Sequence, residues 1–166
     1  PTEFAVGVYH DLMTAGEQFG VRRGGYYAIE SLRLEKGYRA FGRELTPNDN
    51  PVEAGLLFTC KLTSDIDFLG RSAVEHAKAE GPRRRLVSFA VDSADPMLWG
   101  GELIRRNGEV AGQVSSAAWG ATTGTAVGLG YLRAPTVLTP DWVRAGRYTV
   151  DVGGTVYPIT VSLGPI

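Results

Sequence analysis

The chain of 166 residues has one cysteine, two histidines and two methionines, so very little of it can support thiol, imidazole or thioether chemistry. With Cys60 alone there is no intrachain disulfide framework, and zinc sites built on two or more thiolates are excluded. A lone thiol fits a reducing compartment. No apolar run approaches the roughly 18 residues of a membrane-spanning helix. No excess of charge is present either. A formal net charge of -1 produces no whole-molecule field to draw the chain to nucleic acid or an anionic membrane. A signal-peptide pattern is also missing. The sequence starts at Pro1 without an initiator methionine and enters a helical pattern at once, which leads us to expect a piece of something longer.

What is present suffices for a core. The apolar share is 43%, and the length suits one generous domain or two small ones. "EFAVGVYHDLMTAGEQF" (residues 3–19) sets Phe4, Val8, Leu12 and Ala15 at helical spacing, with Thr2 as the expected N-cap. A second helix is predicted over residues 25–36, with Gly37 as its left-handed terminator. Leu56 to Leu62 is short and apolar, and predicts a strand. Residues 70–80 predict a third helix, ending before Gly81-Pro82.

From Arg83 the period changes. "RRLVSFAVD", "ELIRR", "EVAGQVSSAAW", "GTAVGLGYL", "RYTVDV" and "TVYPITVSL" are six strand candidates, punctuated by turns such as Asn107-Gly108 and Gly153-Gly154. Short strands at this spacing predict a small antiparallel barrel or sandwich. The expected fold class is α+β, an α/β portion to about residue 81 followed by a compact all-β domain.

Catalytic constellations are scarce. His10 and His76 each sit in a predicted helix beside acidic neighbours, and no spacing assembles a triad or a metal site around them. We assign no catalytic residue and no metal ligand. "GATTGTAVGLGYL" lacks the lysine of a phosphate loop, and "GLGYL" lacks the strand–turn–helix setting of a dinucleotide fingerprint, so these glycines read as turns and bulges. Arg83, Arg84 and Arg85 could hold phosphate or polyglutamate, but strand alternation splits them between two faces. The simpler reading is a solvated edge with one arginine in an interdomain salt bridge.

"ESLRLEKGYRAFGRELTPNDNPVEAGL" (Glu30 to Leu56) carries more specific punctuation than a plain surface loop requires. Glu30 and Arg33 can pair at i, i+3 on one helix face. Tyr38, Arg39, Phe41, Arg43 and then Phe58 interleave rings with guanidinium groups, the set that a planar ligand with an anionic tail would use. Ordinary loop packing is the competing account.

The wording itself is distinctive. "GYYAIESLRLEKGYRAFGRELTPNDNPVEAGLLF" followed by "DFLGRSAV" resembles the folate-binding aminomethyltransferase family, the glycine-cleavage T-protein and its relatives. "EKGYR" is nearer to the branch fused behind an FAD oxidoreductase, as in sarcosine and dimethylglycine dehydrogenases. "GGELIRRNGEVAGQVSSAAWGATTGTAVGLGYL" is similar to that family's C-terminal barrel.

The resemblance implies that residues 1–81 end a folate-binding domain and that residues 82–166 form the barrel. It implies tetrahydrofolate as cofactor, with FAD bound outside this chain, and a small N-methyl amine as substrate. Nucleic acid and membrane are not implied as partners. The location it implies is cytoplasmic, or the mitochondrial matrix in a eukaryote. The family's acidic group near the reacting nitrogen lies upstream of Pro1, and a folate-contacting arginine of T-proteins aligns with Ile29. An aromatic position aligns with Phe58, the one candidate folate-binding residue. The expectation is a non-catalytic portion of a dehydrogenase of this type. The end of a free-standing aminomethyltransferase and a scaffold module of the same fold remain as alternatives.

Overall fold

The computed structural model describes all 166 residues. Six strands follow Gly81-Pro82, each on one of the six predicted segments. They are β1 (Arg84–Val91), β2 (Leu103–Arg106), β3 (Glu109–Gly120), β4 (Thr125–Arg133), β5 (Tyr148–Val152) and β6 (Thr155–Ser162). All pairings are antiparallel, and the sheet closes in the order β1-β4-β3-β2-β5-β6. Closure leaves no free edge for another chain to pair with.

The barrel interior holds Phe89, Ile104, Leu132 and Val150, each fully buried. Removing such side chains from water contributes about 1.5–3 kcal/mol apiece. Bulges shift the register between Ile104 and Arg105 on β2 and between Val114 and Ser116 on β3, bending both strands into the barrel. A short helix that the sequence reading missed, α4 (Pro140–Arg144), lies in the β4–β5 connection. Its signal was legible: Thr139 accepts a hydrogen bond from Trp142 N and Pro140 opens the helix.

Before the barrel come α1 (Ala5–Gly16), α2 (Tyr26–Glu35) and α3 (Arg71–Glu80). α2 ends as predicted: Gly37 has φ +66°, Tyr38 N donates to Arg33 O at 2.7 Å and Gly37 N to Leu34 O at 3.0 Å. A second apolar cluster joins Leu34 of α2 to Leu86, Val127, Leu129 and Tyr131 on the outer face of β1 and β4. The barrel is thus packed within and covered on one side.

α1 has no such cover. None of its residues is buried, and Phe4, Val8, Leu12 and Ala15 of the predicted apolar stripe all face solvent. The helical spacing was read correctly, but nothing in this chain meets the stripe.

Two local expectations are corrected. Leu56 to Leu62 is no strand: Leu57–Thr59 forms one 3-10 turn. Its backbone groups are satisfied locally, Leu56 N by Pro51 O and Thr59 N by Leu56 O, so no neighbouring strand is engaged. Thr2 is no N-cap either, because the chain is already in a 3-10 turn at Thr2–Phe4 and no side chain caps it.

Candidate functional site

The loop from Gly37 to Gly55 is fixed to the barrel by charged side chains. Arg33 on α2 donates to Glu30 at 2.6 Å and to Glu44 Oε2 at 2.9 Å, and also to Tyr38 O at 3.1 Å. Glu44 has no exposed surface, and Ala40 N donates to the same Oε2 at 2.9 Å. The predicted Glu30/Arg33 pair is therefore the outer half of a buried triad whose inner member, Glu44, was not foreseen.

Further contacts carry the loop onto the strands. Tyr131 Oη donates to Glu44 O at 3.0 Å, and burial together with the Asp49 charge pushes this phenol up to about 12, so it stays a donor. Arg84 stacks on the Tyr131 ring at 3.5 Å and pairs with Asp49 at 2.5 Å and Glu53 at 3.3 Å. Burial raises the Asp49 carboxyl, but hydrogen bonds from Arg84 and Thr46 outweigh it and hold the group below its usual range. One arginine of the 83–85 run thus bridges the two halves, as expected. Arg85 donates to Val52 O and Arg39 to Ala54 O and Gly37 O, while Arg83 is exposed.

On the opposite flank Glu35 clamps the end of α2 to the β3–β4 turn. Its carboxylate accepts from Thr122 N at 2.7 Å and Thr122 Oγ1 at 2.8 Å, which holds its pKa below the ordinary 4.5. A carboxylate depressed in the folded state adds stability above its unfolded pKa and loses it as pH falls through the folded value. Glu35→Gln is therefore expected to lose less stability than the natural chain between neutral pH and about pH 3. Urea midpoints across that range give the measurement, and parallel pH profiles would contradict the clamp.

Between these flanks lies an open cavity of about 580 Å³. α2 contributes Tyr26, Tyr27 and Glu30, the loop before β2 contributes Met97 and Trp99, the end of β3 contributes Trp119, and the 37–55 loop contributes Arg43. Ser31 Oγ donates to Trp119 O at 2.6 Å, joining the α2 and β3 walls. Glu102 accepts from Trp99 N at 2.6 Å and Gly100 N at 2.9 Å, setting the Trp99 loop. Tyr27 and Trp99 remain more than four-fifths exposed. Exposed rings of this size around a cleft with two acids, Glu30 and Asp95, and one guanidinium suit a flat, polar-edged ligand.

The sequence-predicted residue, Phe58, sits on the 3-10 turn, exposed, and does not line this cavity. Ile29 is also exposed. His10 lies on α1, and His76 on α3 pairs only with Glu80, at 3.4 Å. No group of three His, Cys, Asp or Glu side chains could hold a metal ion. No helix is long and apolar enough to cross a membrane. The tyrosine and tryptophan walls were missed because residues 26, 99 and 119 share no motif. Large rings beside Gly25 and Gly100 were the available signal.

These features define a closed antiparallel barrel that carries, on one flank, a helix and an ion-paired loop walling an aromatic cleft. Residues 1–64 match the GCVT N-terminal domain family, and residues 84–166 match the Glycine cleavage T-protein C-terminal barrel domain family. The chain belongs to the glycine cleavage T-protein family. It is 42% identical over 165 residues to the mitochondrial sarcosine dehydrogenase of Mus musculus, covering 98% of this chain and 18% of that protein. It is 36% identical over 177 residues to the mitochondrial pyruvate dehydrogenase phosphatase regulatory subunit of Mus musculus, covering 100% of this chain and 20% of that protein. The solved aminomethyltransferase T of Bartonella henselae shares the fold, with a TM-score of 0.78 at 24% identity over 97% of this chain and 43% of that one. The chain thus spans about a fifth of the length of the curated relatives described.

Proposed function

We propose that this chain is the C-terminal portion of a tetrahydrofolate-dependent one-carbon transfer enzyme of the sarcosine or dimethylglycine dehydrogenase type. Residues 1–81 complete the folate-binding domain and residues 82–166 form the barrel that backs it. The observation that carries this reading is the half-built cleft. Aromatic walls are present on one side, and helix α1, the element before α2 in the chain, leaves its apolar stripe without a partner. Contiguous exposed apolar surface of this kind marks an interface, and the preceding residues of the same polypeptide are the occupant we assign to it.

The residues present fit a pterin and its aminobenzoyl ring. Tyr26, Tyr27, Trp99 and Trp119 offer faces to stack on, and Glu30 and Arg43 offer a carboxylate and a guanidinium at the rim. Tetrahydrofolate would supply the nitrogens that accept the one-carbon unit. The part played by this chain is to hold the ring, orient it and exclude water. Phe58 is proposed as a further stacking surface once the upstream residues close over the 3-10 turn. The residues do not fit FAD: "GLGYL" lies within β4, with no helix opening behind it, so that cofactor belongs elsewhere in the parent protein. A small N-methyl amine is the proposed substrate, and the mitochondrial matrix the proposed location in a eukaryote.

Calorimetric titration with folinic acid tests the proposal. Saturable heat is expected from the parent polypeptide and none from this chain alone, which contributes no catalytic group. Saturable heat from the isolated chain would contradict the half-built cleft. A second reading rests on the likeness to a phosphatase regulatory subunit, a module of this fold that assists another protein without turnover. Absence of heat from the parent favours it. The end of a free-standing aminomethyltransferase is the remaining alternative, and the parent's N-terminal sequence decides that one, since a dinucleotide fingerprint there demands the dehydrogenase.

A further inference from the structure

We propose that Glu102 is a positioning residue that holds the Trp99 ring out as a preformed wall of the aromatic cleft, an inference that rests on the folate reading. The ring itself has no partner in the chain. Trp99 is 81% exposed, stacks on no other ring and lies under no guanidinium. A large apolar ring on a free loop tends to fold back onto the nearest apolar surface and leave water. Leu98, the residue before it, is placed that way: it is 4% exposed and belongs to the barrel core.

The segment after the ring is built against such a collapse. Gly100 and Gly101 have φ of +100° and +94°, a left-handed pair that turns the chain sharply and is freely jointed unless something fixes it. Its far end is fixed by β3. Gly101 N donates to Val114 O at 2.8 Å, Gln113 Nε2 to Gly101 O at 2.9 Å and Val114 N to Glu102 O at 2.9 Å. The near end is fixed by the Glu102 side chain. Oε1 accepts from Trp99 N at 2.6 Å and Oε2 from Gly100 N at 2.9 Å, the two amides that flank the Trp99 α-carbon. This carboxylate enters no ion pair, so both its oxygens serve only to set the direction in which the Trp99 side chain leaves the loop. Bonds from amides to a carboxylate are about twice as strong as neutral ones, enough to hold a loop in water. A ring already in place need not be ordered when the ligand arrives, which raises affinity.

Calorimetry with folinic acid on the parent polypeptide tests this role in a double-mutant cycle. Glu102→Ala frees the ring and is expected to weaken binding by roughly threefold to tenfold, the cost of ordering one large side chain on binding. Glu102→Gln keeps one acceptor oxygen and is expected to fall between Glu102→Ala and the natural protein. In a Trp99→Ala background, which retains three of the four rings, Glu102→Ala is expected to have no further effect, because the ring through which it acts is gone. An equal loss in both backgrounds is the behaviour of a purely structural residue and overturns the proposal. Natural affinity in Glu102→Ala also overturns it, and leaves the folate reading standing. Hydrogen exchange on the same proteins supplies the second readout. The Trp99 and Gly100 amides are expected to lose protection in Glu102→Ala while those of β3 and β4 keep theirs. Unchanged protection at Trp99 and Gly100, or protection lost throughout β3 and β4 in both Glu102 variants, counts against the positioning role. If the natural parent gives no heat with folinic acid, the folate reading falls and this role falls with it.

Discussion

Arg33→Leu is expected to destabilise the chain by about 3–5 kcal/mol, the cost of leaving one member of a buried ion pair without its partner. The reason is local. Glu44 has no exposed surface and depends on Arg33 for its only charged donor, with Ala40 N adding one neutral bond to the same oxygen. Once the guanidinium is gone, the carboxylate must stay charged in a dry site or take up a proton there, and either is costly. The loop carries the damage further, since Glu44 O also accepts from Tyr131 Oη and so ties α2 to the barrel face. Urea unfolding measures the loss. The double variant Arg33→Leu/Glu44→Leu is expected to recover most of it, because an apolar pair of similar size removes the desolvation problem instead of solving it. A single variant that costs less than about 1 kcal/mol would be the behaviour of a surface pair and would contradict a buried triad.

The second large effect belongs to the barrel wall. Gly112 on β3 passes so close to β4 that a Cβ built on it would lie 2.1 Å from the carbonyl oxygen of Tyr131 and 3.0 Å from its carbon. The obstacle is backbone, which cannot rotate aside as a side chain can. Gly112→Val must therefore push β3 and β4 apart, at a cost at or above the usual overpacking range of about 1–3 kcal/mol. For a chain of this size a 3 kcal/mol loss lowers the melting temperature by roughly 6–12 °C. Thermal denaturation followed by circular dichroism supplies the readout, and an unchanged midpoint would place Gly112 away from that close approach.

Much of the fold was legible because its signals are local. Six segments of strand-forming residues bounded by Asn-Gly, Gly-Gly and other turns became the six strands, and Gly37 ended α2 where a left-handed residue was required. The site was legible only in part. Glu30 and Arg33 stand one helical turn apart, so their pairing follows from spacing, and one arginine of the 83–85 run does bridge to the loop. Leu56 to Leu62 misled for a definite reason. An apolar run of that length serves equally as strand or turn, and here Leu56 N donates to Pro51 O and Thr59 N to Leu56 O, within the turn itself. Phe58 was picked out by its alignment with an aromatic position, whereas the rings that gather around the cleft are others.

By itself the amino-acid order determined the family, the end of α2 at Gly37, the six barrel strands and the presence of an apolar stripe on α1, since each depends on residues within a few positions of one another. Only the tertiary structure decided that the barrel closes, that Glu44 is the buried partner of Arg33, that the α1 stripe has nothing to pack against, and that Tyr26, Trp99, Trp119 and Arg43 face one opening. Those outcomes depend on which segments, tens of residues apart, the sheet register brings side by side, and no local periodicity encodes that register.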